Sequence, residues 1–488
     1  MTTRQHAAIA LDLGSSNGRA VLGTLSGGVL RLQEAHRFAH KVDTTDGVLT
    51  WDTDRLRDGA LAGISVARTL VPIDVESIGI DTWGVDYALL DDDGDLVRPV
   101  RAYRDGRMAE HFADYNKALD PWTAWCHTGV QPAEINTSVQ LFSDLAQEPD
   151  LVDRVDRVQL LPDYFAWLLC GEKGFGRAIA STTGLAAPGT RRWSSEVLDS
   201  LGIPEKWFGQ IAPDSMVLAP EKTSGIPLVR PGGHDTACAV HAMPVPEDVK
   251  SSVFISCGSW TLVGAVTDEP ILSRGAYRAG FTNETCVDGR NRFLRNITGM
   301  WILQDLMRGW CSEGTGMELL DLLDAAKQAP SMGLVFDPND AAFTGTGNME
   351  QRINERMQAM YGRTPDGRGQ LARLIFESLA IAHARTIKEI ESLTGTPAEV
   401  INMVGGGSRN GLLCQMTASA TGVPLLSGPA EASAAGNLLS QFEAIGAIGH
   451  GERIGIIERS FTPLRFEPRD PTRWDDMTRR LEEAEKGR

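Results

Sequence analysis

Apolar residues run from Ala7 to Leu13 with a single polar interruption at Asp12, and a turn of small residues, Gly14-Ser15-Ser16-Asn17-Gly18, separates them from a second apolar run, Ala20-Val21-Leu22. A short continuous apolar run bounded by turn residues predicts a buried strand. The same pattern returns about half a chain later: Val253-Phe254-Ile255-Ser256-Cys257, a Gly258-Ser259 turn, then Trp260-Thr261-Leu262-Val263. Two strand-turn-strand units, each opening one half, predict a duplicated domain.

Around the first unit the pattern predicts a third strand near 29–36. A helix follows from Trp51-Asp52-Thr53-Asp54, with Leu56, Ala60, Ile64 and Val66 as its apolar face and Asp or Thr as its cap. Further strands are predicted at Ser77–Asp81 and Val85–Leu90. The order β-β-β-α-β opens an α/β domain with a mixed sheet. Residues 105–225 carry more helical patterns, Pro162–Leu169 among them, and Met243-Pro244-Val245-Pro246 has a linker's composition. The expected division is therefore 1–245 and 246–488. In the second half a core-facing helix is expected around Met300–Met307 and another over 369–394. A strand Val400–Val404, a glycine turn, a helix to Ala420, a strand Pro424–Leu426 and a helix from Glu431 follow. Residues 476–488 read as a frayed, solvent-facing helix.

The net charge of −17 disfavours nucleic acid and anionic membranes as partners, since both select basic surfaces. An anionic ligand must be held locally, by backbone N–H groups, single arginines or a metal. No run approaches the length of a membrane helix, and Ile9–Leu13 is too short and too polar for a secretory core, so the chain reads as cytoplasmic. Its seven cysteines include no Cys-x-x-Cys pair, which fits small buried or half-buried thiols in a reducing compartment.

Asp12 precedes a Gly-Ser-Ser-Asn-Gly-Arg turn; it either orients a hydrated Mg²⁺ beside bound phosphates or simply caps the turn. Gly405-Gly406-Gly407-Ser408-Arg409-Asn410, between a strand and a helix, allows close backbone approach and a helix N-terminus with free N–H groups, or is a tight turn without a ligand. It matches neither a P-loop nor a dinucleotide fingerprint. In Gly232-Gly233-His234-Asp235-Thr236, Asp235 is either a proton acceptor or a helix cap. Asp81-Thr82-Trp83-Gly84-Val85-Asp86 and Tyr103-Arg104-Asp105 offer the polar and aromatic groups that suit a polyol, and serve equally as surface turns.

In their order and spacing these motifs resemble the FGGY carbohydrate kinases, of the actin, hexokinase and heat-shock chaperone ATPase superfamily, from about residue 7 to about 445. The stretches that carry the likeness include Ile78–Asp86, Ala102–Asp105, Leu161–Phe165, His234–Ala237, Asn296–Gly299, Gly428–Ser433 and Gly436-Asn437. The resemblance implies two RNase H-like domains about a cleft, with sugar held mainly by the first and nucleotide by the second. It implies ATP and Mg²⁺ as cofactors and Asp235 as the base that takes the proton of a ketose 1-hydroxyl. Asp12 would hold Mg²⁺; Ser15, Ser16, Asn17, Gly18, Arg19, Ser259, Gln304 and Gly406 would contact the nucleotide; Gly84, His234, Thr236 and Asn296 would join Asp235 at the sugar. L-rhamnulose is the expected substrate, with L-fuculose, L-ribulose or D-xylulose as alternatives, and an actin-like ATPase switch is the reading from another class. Ser259 stands where the family more often has Thr, and keeps the hydroxyl.

Overall fold

The computed structural model describes residues 4–45, 47–244, 252–449 and 451–486. They fall into two compact units: Met1–Pro244 with Val266–Phe293 and Glu431–Phe461, and Val245–Ala265 with Leu294–Ala430 and Thr462–Arg488. Val245 and Pro246 of the linker-like stretch lie outside the described residues.

The first unit contains β1 (His6–Leu13), β2 (Asn17–Ser26), β3 (Val29–Ala39), β4 (Ser77–Thr82), β5 (Met216–Pro220) and β6 (Pro227–Arg230), in the sheet order β5-β6-β4-β1-β2-β3. Strand β1 runs antiparallel to its hairpin partner β2 and parallel to β4; β4 is parallel to β6, and β6 antiparallel to β5. The second unit carries β7 (Ser252–Cys257), β8 (Trp260–Thr267) as far as Ala265, β9 (Asn291–Thr298) from Leu294, β10 (Val400–Val404), β11 (Leu425–Ser427) and β12 (Leu464–Phe466), which follow one another in a seven-stranded sheet as β9-β8-β7-β10-β11-β12. Here too the central strand β7 is antiparallel to its hairpin partner and parallel to β10, β10 is parallel to β11, and β11 antiparallel to β12. The two halves are the same α/β sheet written twice, as the repeated apolar pattern predicts.

On one face of the first sheet, Ile9, Leu11, Leu13, Ile78 and Ile80 pack against Leu56, Ala60 and Ile64 of the Thr53–Thr69 helix, which Asp52 caps. Val66 was expected on that face and is 38% exposed; Ala67, three residues beyond Ile64, takes the buried position because the helical period turns Val66 outward. The opposite face is lined by Ala10, Asp12, Gly79 and Asp81, since side chains alternate along a strand. It is covered by the Ala432–Ala444 helix. That helix comes close only because Gly79 has no side chain: a Cβ there would stand 2.4 Å from the Asn437 Oδ1. The Asp235–His241 helix packs in turn on this one. A Cβ on Gly436 would lie 1.7 Å from the Cys238 carbonyl oxygen, and His241 Nε2 meets Glu443 Oε2 at 3.0 Å.

Other expectations change. The strand predicted from Val85 begins at Tyr87, because Val85 adopts φ 70° in a turn. The Pro471–Lys486 helix is not frayed: Trp474, Met477 and Leu481 are buried, and Glu485 pairs with Arg385 at 2.9 Å. Cys311 is exposed rather than buried. No helix among the described residues is long and apolar enough to cross a membrane.

Gly436→Ala should lower unfolding stability by about 1–3 kcal/mol, because a backbone carbonyl cannot yield as a side chain can. A shifted urea midpoint at constant m-value is the expected result, and an unchanged midpoint would contradict this packing.

Candidate active site

The strand register builds a row of charge across the first sheet. Asp12 on β1 pairs with Arg19 on β2 to one side and with Asp81 on β4 to the other. Arg19 binds the Asp12 carboxylate and, with its other terminal nitrogen, Glu431. Among the described residues no cation is bonded to Asp81. Its Oδ2 accepts from Asn437 Nδ2 at 2.6 Å, and its Oδ1 has no hydrogen-bond partner. Asn437 Oδ1 accepts from Gln441 Nε2, and Gln441 Oε1 accepts from Ser77 Oγ, so an amide relay anchors this carboxyl to the helix. Burial raises the Asp12 carboxyl above its ordinary range against the pull of Arg19; burial, then the charge of Asp12, pushes Asp81 up much further.

Asp235 opens its helix beside this row. Its Oδ1 accepts from the Thr236 N–H at 2.5 Å and the Thr236 hydroxyl at 3.1 Å. The side chain keeps 35% exposure, against 7% for Asp12, so Asp235 is open to a reactant where Asp12 is not. Its dense surroundings, with Asp12 adding negative charge, push its pKa up to about 6. Behind it, Arg292 Nη2 lies 3.3 Å from His234 Nδ1 and 2.8 Å from Glu284. A guanidinium only donates, and burial, then Arg292, keeps His234 neutral; Nδ1 is therefore the acceptor and the proton sits on Nε2, 3.3 Å from Asp235 Oδ1.

Gly84 belongs to the same neighbourhood, since a Cβ on it would be 3.5 Å from His234 Nε2 and 3.3 Å from Thr182 Oγ1. Gly84, His234, Asp235 and Thr236 thus stand together. The turn holding Gly84 is fixed by buried Asp86, whose Oδ2 accepts from Trp51 Nε1 at 2.6 Å and Trp83 Nε1 at 2.8 Å. In the β1–β2 turn Ser16 is exposed and Ser15 half-buried, Asn17 is bound by Arg37, and Gly18 packs on the Phe38 ring.

In the second unit the β7–β8 turn is tied to the Trp301–Ser312 helix. Gly258 and Ser259 carbonyls accept from the Met300 and Trp301 N–H groups, and the Ser259 hydroxyl donates to Gln304 Oε1 at 2.7 Å. In the triple glycine, Gly405 (φ 79°) and Gly407 press on Cys257, while a Cβ on Gly406 would meet only open space. At the start of the following helix Asn410 Oδ1 accepts from the Leu412 and Leu413 N–H groups. Asn296 lines a polar cavity of about 360 Å³ with Arg295, Asp337 and Asn339.

Among the described residues no three His, Cys, Asp or Glu groups form a full ligand set for a metal ion. Mg²⁺ retains most of its water and needs one or two carboxylates. Asp12, beside Asp81 with its unpartnered oxygen, fits that requirement.

Two family models, the N-terminal and C-terminal domains of the FGGY family of carbohydrate kinases, match residues 7–239 and 253–445. The chain belongs to the FGGY family of carbohydrate kinases. Such a kinase takes its phosphoryl group from ATP. Similar curated proteins are the rhamnulokinases of Bacteroides thetaiotaomicron, 34% identical over 96% of each chain, and of Bacillus subtilis, 33% identical over 94% of this chain and 95% of that one. The fold is shared with a xylulose kinase from Rhodospirillum rubrum (TM-score 0.77, 18% identity, 99% of both chains) and Plasmodium falciparum glycerol kinase with ADP (TM-score 0.80, 14% identity, 99% of this chain and 98% of that one).

Sequence reasoning passed over Asn437 and Gln441 as functional residues and missed Arg292 and Glu284. The first two did leave a signal, two amides at i, i+4 on an otherwise small and apolar helix. The last two left none, because they meet His234 only through tertiary packing.

Burial raises Asp86 to about 7 despite the two indole donors, so between about pH 4 and 7 this one residue holds a proton in the folded kinase that it has lost in the unfolded chain. That contribution to stability is present at low pH and is lost as pH rises, by at most about 1.4 kcal/mol per unit. Unfolding titrations of wild type and Asp86→Asn should diverge accordingly over this window; a pH-independent difference would contradict the assignment.

Proposed function

We propose that this FGGY kinase transfers the γ-phosphoryl group of ATP to the 1-hydroxyl of L-rhamnulose in the cytoplasm, with Asp235 as general base. The observation that carries the reading is the state of Asp235: an accessible carboxyl at about 6, ionised at neutral pH yet basic enough to take a hydroxyl proton. The sugar is drawn from the rhamnulokinases, which are 33–35% identical to this chain over nearly its whole length.

The sugar's O1 attacks the γ-phosphorus as its proton passes to Asp235; the new O1–P bond replaces the bond to the bridging oxygen, and ADP leaves. Phosphoryl transfer asks mainly for positioning and charge stabilisation. Gly84 leaves room beside His234, whose Nε2 lies 3.3 Å from the same Asp235 oxygen, Oδ1, that Thr236 engages. Asn296 is the remaining sugar contact. Residues 1–245 would serve the sugar and 246–488 the nucleotide, with Ser15, Ser16, Asn17, Gly18 and Arg19 reaching the phosphates from the first part. Ser259, held by Gln304, and open-faced Gly406 would receive the nucleotide in the second. Mg²⁺ at Asp12 would offset charge on the phosphates.

Sugar-dependent ADP release should be strongest with L-rhamnulose in a panel that includes L-fuculose, L-ribulose, D-xylulose and glycerol. Preference for another sugar would move the specificity; release without any sugar would contradict the kinase reading. Asp235→Asn should bind ATP and lose turnover by about 10²–10⁴. Because the base works ionised, wild-type kcat/KM should fall as pH drops below about 6; a flat profile there would remove the assignment.

A further inference from the structure

The least explained group in the first unit is Asp81. It is fully buried, lies in register with Asp12 across β1 and β4, and leaves Oδ1 without a hydrogen bond. Arg19 is engaged by Asp12 and Glu431 on the far side of β1. A buried carboxyl beside another carboxyl, with an amide as its one bonded neighbour, is costly unless a proton or a cation joins it.

We propose that Asp81 is a second carboxylate of the divalent-cation site, using the oxygen that Asn437 leaves free, and that Asn437 is the residue that positions it. Three features of the chain fit this role. Gly79 gives up its side chain so that Asn437 can reach Asp81. Gln441 fixes the Asn437 amide so that its nitrogen, not its oxygen, faces the carboxyl. Ser77 and the Ile9 carbonyl fix Gln441 in turn. The relay settles which Asp81 oxygen is engaged and leaves the other, Oδ1, unpartnered. Two carboxylates on adjacent strands, completed by water and phosphate oxygens, match the hard-oxygen preference of Mg²⁺. This assignment rests on the phosphoryl-transfer reading above.

The test is Mn²⁺ binding to the full-length protein with ADP, followed by the EPR signal of free Mn²⁺, which needs no turnover. Asp81→Asn keeps the shape and an acceptor for Asn437; it should weaken Mn²⁺ at least about 10-fold while metal-free ADP binding and the circular dichroism stay as in wild type. Asn437→Ala keeps the carboxylate and removes its orientation, and should give a smaller loss in the same direction. Wild-type Mn²⁺ affinity in folded Asp81→Asn overturns the proposal. If that variant does not fold, unchanged Mn²⁺ affinity in Asn437→Ala overturns it instead. Loss of Mn²⁺ in Asp12→Asn but not in Asp81→Asn sinks this assignment alone, whereas absence of sugar phosphorylation by the wild type sinks the reading beneath it.

Discussion

Acidic side chains crowded at the ends of neighbouring strands, with little positive charge to match them, set the terms for the first unit. Asp12 and Asp81 stand side by side in register, Asp235 opens the helix next to them, and Arg19 is the cation bonded within the row. Removing a carboxylate from water costs on the order of several kcal/mol. Much of the surrounding structure answers that cost. Asn437 and Gln441 supply neutral donors, Arg19 is shared between Asp12 and Glu431, and Asp235 remains partly open.

The backbone makes this possible through two close approaches. Gly79 admits the Ala432–Ala444 helix to the sheet, and Gly436 admits the Asp235–His241 helix to that helix. The order of dependence runs from sheet to covering helix to the Asp235–His241 helix. It also explains why Glu431–Phe461, late in the chain, belongs to the unit built mostly from the first half. The second unit repeats the sheet but not the charge. There Ser256 stands one residue before the end of the central strand, where β1 carries Asp12, and Gly405 and Gly407 pack closely on Cys257 with open space at Gly406.

Much of this was legible in the sequence because strands buried on both faces write continuous apolar runs, and both hairpins announce themselves by a glycine turn. The site motifs around Asp12, Gly84, Asp235 and Gly406 were legible too, through their residue types and their order. Long-range registry was not. That Asp81 faces Asp12 depends on a parallel pairing across an intervening helix, and that Arg292 fixes the His234 tautomer depends on a strand nearly sixty residues away. The solvent-facing reading of 476–488 fails because Met477 and Leu481, buried with Trp474, are spaced among many charges, and local composition outweighs a sparse apolar stripe.

The central claim is that Asp235 is the group that receives the sugar's proton. A crystal structure with L-rhamnulose and a non-hydrolysable ATP analogue tests it most directly. The account predicts the 1-hydroxyl within about 2.6–3.2 Å of an Asp235 carboxylate oxygen and in line with the γ-phosphorus. A 1-hydroxyl bonded to another side chain, with Asp235 still engaged only by Thr236 and His234, would contradict it.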